Sequence, residues 1–197
     1  MTRPDGYLVR PATDGDRGGP VLDGARSVML DTFYGELGTG YVPRWHHDVV
    51  DLEGAYLDTP RQHLVVALAP DGEVVGTTAV RNQGPNHPPH AAWLAERYTG
   101  PSVAQIFRVY VRAAHRRRGL ARDLVAAAVD AVAADGGYDT IYLHSNVSVP
   151  GAEAFWRSIA REVHDGRPDG TGVVHFEIDV PVLSGSASGP GSPAARG

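Results

Sequence analysis

Two apolar runs dominate the middle of the chain. HLVVAL and VVGTTAV, within residues 63–80, are rich in β-branched residues and flank Pro70-Asp71-Gly72, a tripeptide with strong turn chemistry. The pattern predicts a β-hairpin. Further on, VAQIFRVYVRA (103–113) and YDTIYLHSNV (138–147) predict two more strands. Between them an alanine-rich stretch predicts a helix from Leu120 to Ala134, stopped by Gly136-Gly137. Toward the N-terminus, YLVRPAT (7–13) predicts a first strand. Leu22, Ala25, Val28, Met29, Thr32 and Phe33 then recur at helical spacing, which predicts a helix over 21–35. Residues 36–46 read as irregular, and 47–60 as a short helix stopped by Pro60. Residues 84–101 form a loop rich in Pro, His and Gly whose middle holds one or two helical turns. Pro150 is expected to open a short helix reaching about Ala160, and the segment after it reads as two last strands around a Gly/Pro/Asp loop. From Leu183 to Gly197 the chain is mostly Ser, Gly, Pro and Ala, too poor in apolar groups to offset ordering entropy, and a disordered tail is expected. The reading is one domain over 1–182 and a tail over 183–197. Its element order predicts a mixed α/β fold with a βαβ unit at the centre.

Composition narrows the chemistry. With 197 residues the chain suits one domain with a proper core. It has no cysteine, which excludes disulfides, thiolate metal sites and a cysteine nucleophile. Every Lys/Arg position is arginine, which excludes Schiff-base chemistry and a P-loop lysine. That bias, with abundant Ala, Gly and Pro, reads as the codon usage of a GC-rich bacterial genome. The N-terminal residues lack the apolar core of a signal peptide, so the expected location is cytoplasmic, with no membrane partner. The net charge is −5 and the pI about 5.9, against general nucleic-acid binding.

Against that acidic background one basic stretch stands out: HRRRGLAR, residues 115–122, at the mouth of the predicted 120–134 helix. A helix N-terminus exposes unpaired backbone N–H groups and carries partial positive charge, so anions settle there. Gly119 lets a ligand approach the backbone, and Ala121 keeps the next position small. Arg116, Arg117, Arg118 and Arg122 bring guanidinium forks suited to phosphate oxygens. Cations at the positive end of a helix cost about 0.3–1 kcal/mol each without an anion. A solvated charge run is the plain alternative. The dinucleotide and P-loop fingerprints are both absent.

The stretch Arg116-Arg117-Arg118-Gly119-Leu120-Ala121 resembles the Q/R-x-x-G-x-G/A pyrophosphate-binding element of the GNAT superfamily of acyl-CoA N-acyltransferases. The preceding strand, ending in Val109, Tyr110 and Val111, resembles the family's fourth strand. YLHSNV and PGAEAFWRSIA resemble its fifth strand and fourth helix, and the upstream hairpin its second and third strands. The resemblance runs from about residue 6 to 181 and is most specific over 105–160. It implies a central twisted, mostly antiparallel sheet of about seven strands with helices on both faces and a central βαβ acyl-CoA unit. It also implies acetyl-CoA as cosubstrate without a metal, an amine acceptor, and a monomer or homodimer. The N–H groups around 117–122 would hold the pyrophosphate. The edge at Val109, Tyr110 and Val111 would pair with pantetheine amides, and an N–H near Tyr110 or Val111 would polarise the thioester carbonyl. Asn146 is expected to reach the pantetheine. Trp156 stands where the family commonly has a proton-donating Tyr, and is counted with the cofactor contacts.

On the fifth strand Tyr142, His144 and Asn146 share one face. His144 is the candidate general base, a buried structural histidine being the alternative. Tyr142 and Tyr110 are candidate proton donors. Glu36 or Asp48 is expected to hold an ammonium group, in an acceptor pocket drawn from Tyr34, Tyr41, Trp45, Trp93 and Tyr98. The His46-His47 pair and the His87/His90 loop match no zinc spacing, so no metal is expected. The leading expectation is an acetyltransferase acting on a primary amine of a small metabolite or antibiotic-like compound, through a ternary complex. Peptide or protein N-terminal acetylation, and an acyl-CoA-binding module without turnover, are the alternatives.

Overall fold

The two β-branched runs beside Pro70-Asp71-Gly72 form the expected hairpin. In the computed structural model, which describes residues 1–181, β2 (His63–Leu68) pairs antiparallel with β3 (Val74–Arg81). The tail expected at 183–197 lies outside the described residues. β1 (Leu8–Pro11) extends the sheet beyond β2, and β4 (Val103–Val111) lies antiparallel on the other side of β3. β5 (Thr140–Asn146) runs parallel to β4, as a βαβ crossover through α5 (Leu120–Asp135) requires. β6 (Arg161–Asp165) and β7 (Val173–Asp179) complete a seven-stranded sheet in the order β1-β2-β3-β4-β5-β7-β6.

Helices cover both faces. α1 (Pro20–Asp31) and α3 (Leu52–Tyr56) pack on Leu64, Val66 and Ala79. α5 packs on the alternate residues Val65, Ala67 and Val80 of the same strands, and therefore on the opposite face. Three elements differ from the sequence reading. α1 stops at Asp31 and passes into one wide helical turn at Thr32–Glu36. A helix α2 (Pro43–Val50) begins inside the stretch read as irregular, its Pro43 in the first turn where a missing N–H costs nothing. The last helix, α6 (Ala152–Arg157), starts two residues after Pro150, because Gly151 adopts a left-handed φ of 79° at its cap. The 84–101 loop holds one short helix, α4 (Ala92–Arg97). No helix among the described residues is long and apolar enough to cross a membrane.

Two irregularities at the sheet centre position the site. First, β4 and β5 pair only at Val103–Thr140, Ala104–Ile141 and Gln105–Tyr142, and beyond this point the strands part. β5 stays paired with β7 as far as Asn146, so the β4 edge from Ile106 onward is left open. Second, β4 carries a bulge. Ala79 faces Phe107 but Thr77 faces Tyr110, so Arg108 and Val109 together oppose Thr78. Uninterrupted alternation would place Phe107, Val109 and Val111 on one face. With the extra residue, Phe107 and Tyr110 pack on the α1 side while Ile106, Val109 and Val111 pack on the α5 side.

Candidate active site

On the α5 side of the open gap, the chain presents backbone donors. Gly119 caps α5 with a left-handed φ of 83°, and Arg117 has a φ of 62°. The first bonds of the helix are Arg122 N–H and Asp123 N–H to the Gly119 carbonyl. Among the described residues, the N–H groups of 117 to 121 donate to no protein acceptor. A left-handed turn feeding a helix start directs such groups outward together, a geometry that suits an anion. The guanidinium groups are arranged less simply than their crowding implies. Arg117 and Arg118 are exposed, and Arg118 leans over the Tyr7 ring at 5.9 Å. Arg122 donates to Ser158 Oγ (3.1 Å), and Arg116 is bound to Glu36 and to the Val111 carbonyl (2.8 Å). Arg3, which sequence reasoning passed over, donates to the Arg118 carbonyl (2.6 Å) and pairs with Asp123 in the first turn of α5. Nothing local in the sequence marks Arg3, because the contact spans 120 residues.

Leu120 is buried in the core and Ala121 is half-buried. Asn146 is exposed at the end of β5, where its Oδ1 accepts from Ser148 N–H at 2.8 Å and tightens the turn toward α6. Beside it a hollow of about 370 Å³ is lined by Val147, Val149, Pro150 and Gly151. Trp156 is 6% exposed and packs in the main core, with Phe155 edge-on to it. Its indole is a packing group, which is where a large apolar ring at that helix position gains most.

The bulge is fastened from three directions. The Thr77 hydroxyl donates to the Arg108 carbonyl (3.0 Å), while the Arg108 side chain donates to Asp48 Oδ1 (2.8 Å) and to the Trp45 carbonyl (2.6 Å). Asp48 also accepts from the buried Tyr56 hydroxyl (2.6 Å). Burial is the largest single influence and pushes the Asp48 carboxyl up, but the Arg108 hydrogen bond and charge together with the Tyr56 hydroxyl hold the group below the usual carboxylate range. A non-glycine residue at φ 56° is strained, and this network is what over-determines it. Asp48 is therefore not a free ammonium site, as the sequence suggested, and Glu36 is taken by Arg116. The signal available in the sequence was Arg108 itself, a charge inside the apolar run IFRVYV.

On the α1 side the register sets two rows of side chains. Arg81, Gln105, Tyr142, Glu177 and Arg161 lie in one row across five strands. Phe107, His144, His175 and His164 lie in the next. The fully buried Tyr142 hydroxyl sits between His175 Nδ1 (2.7 Å) and His144 Nδ1 (3.3 Å), and Gln105 Nε2 lies 3.4 Å from the latter. His90, from the 84–101 loop, lies over His144 with ring centres 4.4 Å apart. Burial first, then His90, His175 and Arg81, holds His144 well below its ordinary pKa, so its imidazole is neutral at pH 7. His175 is pushed down to about 4 by burial and by its histidine neighbours. Burial pushes the Tyr142 and Tyr110 phenols up. The aromatics expected in the acceptor pocket are divided. Tyr34, Trp45 and Trp93 are exposed, whereas Tyr98 is buried and donates to Glu177. Among the described residues no set of three or more His, Asp or Glu has metal-binding geometry. Sequence reasoning found His144 and Tyr142 but missed His175 and His90, whose partners lie on other strands and loops.

Comparison with known proteins places this arrangement among others. A family model described as the Acetyltransferase (GNAT) family matches residues 29–160. A GNAT-family acetyltransferase from Staphylococcus aureus Mu50 superposes with a TM-score of 0.65 at 13% identity, covering 89% of this chain and 99% of its own. An acetyltransferase from Streptococcus agalactiae 2603 gives a TM-score of 0.64 at 13% identity, covering 88% and 98%. The GNAT domain of PAT from S. lividans gives 0.58 at 19% identity, covering 88% and 90%. At such identities the likeness is one of fold. No curated protein matches the sequence.

Proposed function

The chain belongs to the GNAT acetyltransferase family, an acyltransferase fold, and from that premise we propose that it moves acetyl from acetyl-CoA directly to a primary amine of a small metabolite or antibiotic-like acceptor, within a ternary complex. One observation carries the donor half of this reading: among the described residues, the N–H groups of 117 to 121 stand without acceptors beside a strand edge open from Ile106 onward. The residues present fit the nucleotide thioester. Residues 117–121 receive the pyrophosphate on their N–H groups, with Arg116, Arg117, Arg118 and Arg122 around it. The β4 edge at Val109, Tyr110 and Val111 pairs with the pantetheine amides as an added strand would.

When bound, acetyl-CoA supplies an activated thioester, whose C–S bond breaks as the C–N bond to the amine forms, leaving a thiolate that takes one proton. Arg112 N–H is bound to the Val75 carbonyl, so alternation along β4 turns the Val111 N–H toward the open edge, where it would polarise the thioester carbonyl. His144, neutral and on the acceptor side of the gap, accepts the proton that the amine loses. Tyr142 holds the His144 ring through Nδ1 and so acts as a positioning residue. Burial raises both phenols and disfavours the phenolate that a donor would leave behind, so neither Tyr142 nor Tyr110 need protonate the thiolate. Water can serve instead. Trp156 contributes packing under α6.

The test is calorimetric titration with acetyl-CoA, native chain against the Arg116→Ala/Arg118→Ala double variant. Micromolar binding in the native chain and at least about tenfold weaker binding in the variant are expected, since hydrogen bonds to charged groups contribute roughly 1.5–3 kcal/mol. The kcat should change little, because phosphate contacts exist in ground and transition states alike. Unchanged affinity in the variant overturns the site assignment.

A further inference from the structure

We propose that the amine acceptor also carries a carboxylate, and that Arg81 is the residue that receives it. This rests on the acetyltransfer reading above and narrows its substrate class. Arg81 ends β3 on the acceptor side of the sheet, in register with Gln105 at the last rung before the gap opens. Its Nε and one terminal nitrogen both donate to the single oxygen Gln105 Oε1, at 2.9 and 2.7 Å, and the Phe107 ring lies 4.9 Å from its carbon centre. Among the described residues no carboxylate lies within ion-pair distance of it. The contrast with its neighbours is informative. Arg108 has Asp48, Arg97 and Arg161 share Glu177, and Arg10 has Asp16.

A guanidinium withdrawn from water against an amide and a ring, with no counter-ion, is a costly arrangement that a ligand anion relieves. Burial is also the largest influence on Arg81 and disfavours its charged form. A second observation points the same way. His90, 9% exposed, has a buried Nδ1 with no hydrogen-bond partner. Its ring lies over His144, so an unused polar atom and an unpaired cation flank the candidate base from two elements. The charged groups of this face are Arg81, Arg108 with Asp48, and Glu177 with Arg97 and Arg161, and of these cations Arg81 alone has no carboxylate in ion-pair distance among the described residues.

The spacing suits one small molecule. Arg81 and His144 lie two strands and one side-chain row apart, roughly 12 Å between Cα atoms by strand spacing and rise. The Gln105 amide stands between them, its Oε1 on Arg81 and its Nε2 3.4 Å from His144 Nδ1, so a small molecule lying over it would present an amine and a carboxylate separated by a few carbons. A carboxylate accepts a bidentate fork from arginine, and an ester of the same acid does not.

The experiment is thiol release at saturating acetyl-CoA with an ω-amino carboxylate series from glycine to 6-aminohexanoate, each beside its methyl ester and the alkylamine of equal length. The native chain is expected to favour the best carboxylate over its ester by about 10- to 100-fold in kcat/KM. Arg81→Gln should bring that ratio toward one, and Arg81→Lys should retain part of it. Esters or alkylamines used as well as the acids overturn the proposal, as does a preference that survives in Arg81→Gln. Acetyl-CoA affinity is measured beside turnover. Its absence in the native chain sinks the acetyltransfer reading itself, whereas tight acetyl-CoA binding with no carboxylate acetylated sinks the Arg81 assignment alone. Should Arg81→Gln fail to fold, shown by loss of its thermal transition, the native acid-to-ester ratio decides.

Discussion

A histidine can serve as a base only while it is neutral, and at His144 burial and three neighbouring cationic or cationisable groups enforce that state. The pH at which it titrates therefore lies below the ordinary 6.5. At saturating acceptor, kcat should lose activity only below pH 6.5, and His144→Gln should remove that limb while lowering kcat by about 10²–10⁴-fold. A limb that persists in His144→Gln assigns the base elsewhere. The Arg108–Asp48 pair gives a second prediction at this scale. Both side chains are 8% exposed, and removal of one leaves the other buried and uncompensated. Asp48→Ala should cost about 3–5 kcal/mol in urea unfolding. A loss under about 1 kcal/mol, the level of an exposed pair, would mean that the bulge stands without it.

Among the elements, β4 concentrates the consequences. Its bulge turns Tyr110 to the same face as Phe107 and leaves the facing edge open where β5 departs. Gly76 makes the neighbouring close approach possible, because a Cβ there would stand 2.9 Å from the Tyr110 carbonyl oxygen and 3.1 Å from Leu124. Neither the backbone of β4 nor the buried Leu124 yields cheaply. Gly76→Ala should cost about 1–3 kcal/mol of stability and reduce turnover through the displaced β4 backbone. Denaturation and thiol release measured together check this, and full stability would show that the strand pair relaxes freely. Of β4, the sequence revealed its extent and its charged interruption at Arg108. It did not reveal the bulge, since an extra residue in one strand is defined only against its partner. The α5 entrance was more legible, because arginines, a glycine and a following helical period all lie within one short stretch.

At the scale of the whole molecule, the histidine cluster couples the site to stability. His175 titrates near 4 when folded and near 6.5 when unfolded, because burial and adjacent histidines disfavour its charge. Between those values the unfolded chain binds more protons, so folding stability is complete above about pH 6.5 and falls as the pH drops toward 4. From His175 alone the loss is about 3 kcal/mol. His144 and His90, also depressed, act in the same direction. Urea midpoints at pH 7.5 and 4.5 should show this slope, and His175→Gln, which still offers Tyr142 an acceptor, should flatten it. Equal midpoints for the native chain at the two pH values would contradict a neutral buried cluster.

What the sequence determined by itself was everything whose cause is local. Hydrophobic period and turn residues set the order of strands and helices, and the glycine and basic stretch before α5 marked where that helix starts. The absence of cysteine and lysine limited the chemistry before any fold was known. Which side chains meet is set by the folded arrangement of the strands. Arg108 reaches Asp48 across 60 positions, and Tyr142 reaches His175 across 33. Such contacts depend on strand register, and a shift of one residue turns every side chain of a strand to the other face. The parting of β4 from β5, the bulge in β4 and an Arg81 without an ion-pair partner among the described residues all arise at that level, where no single segment carries the information.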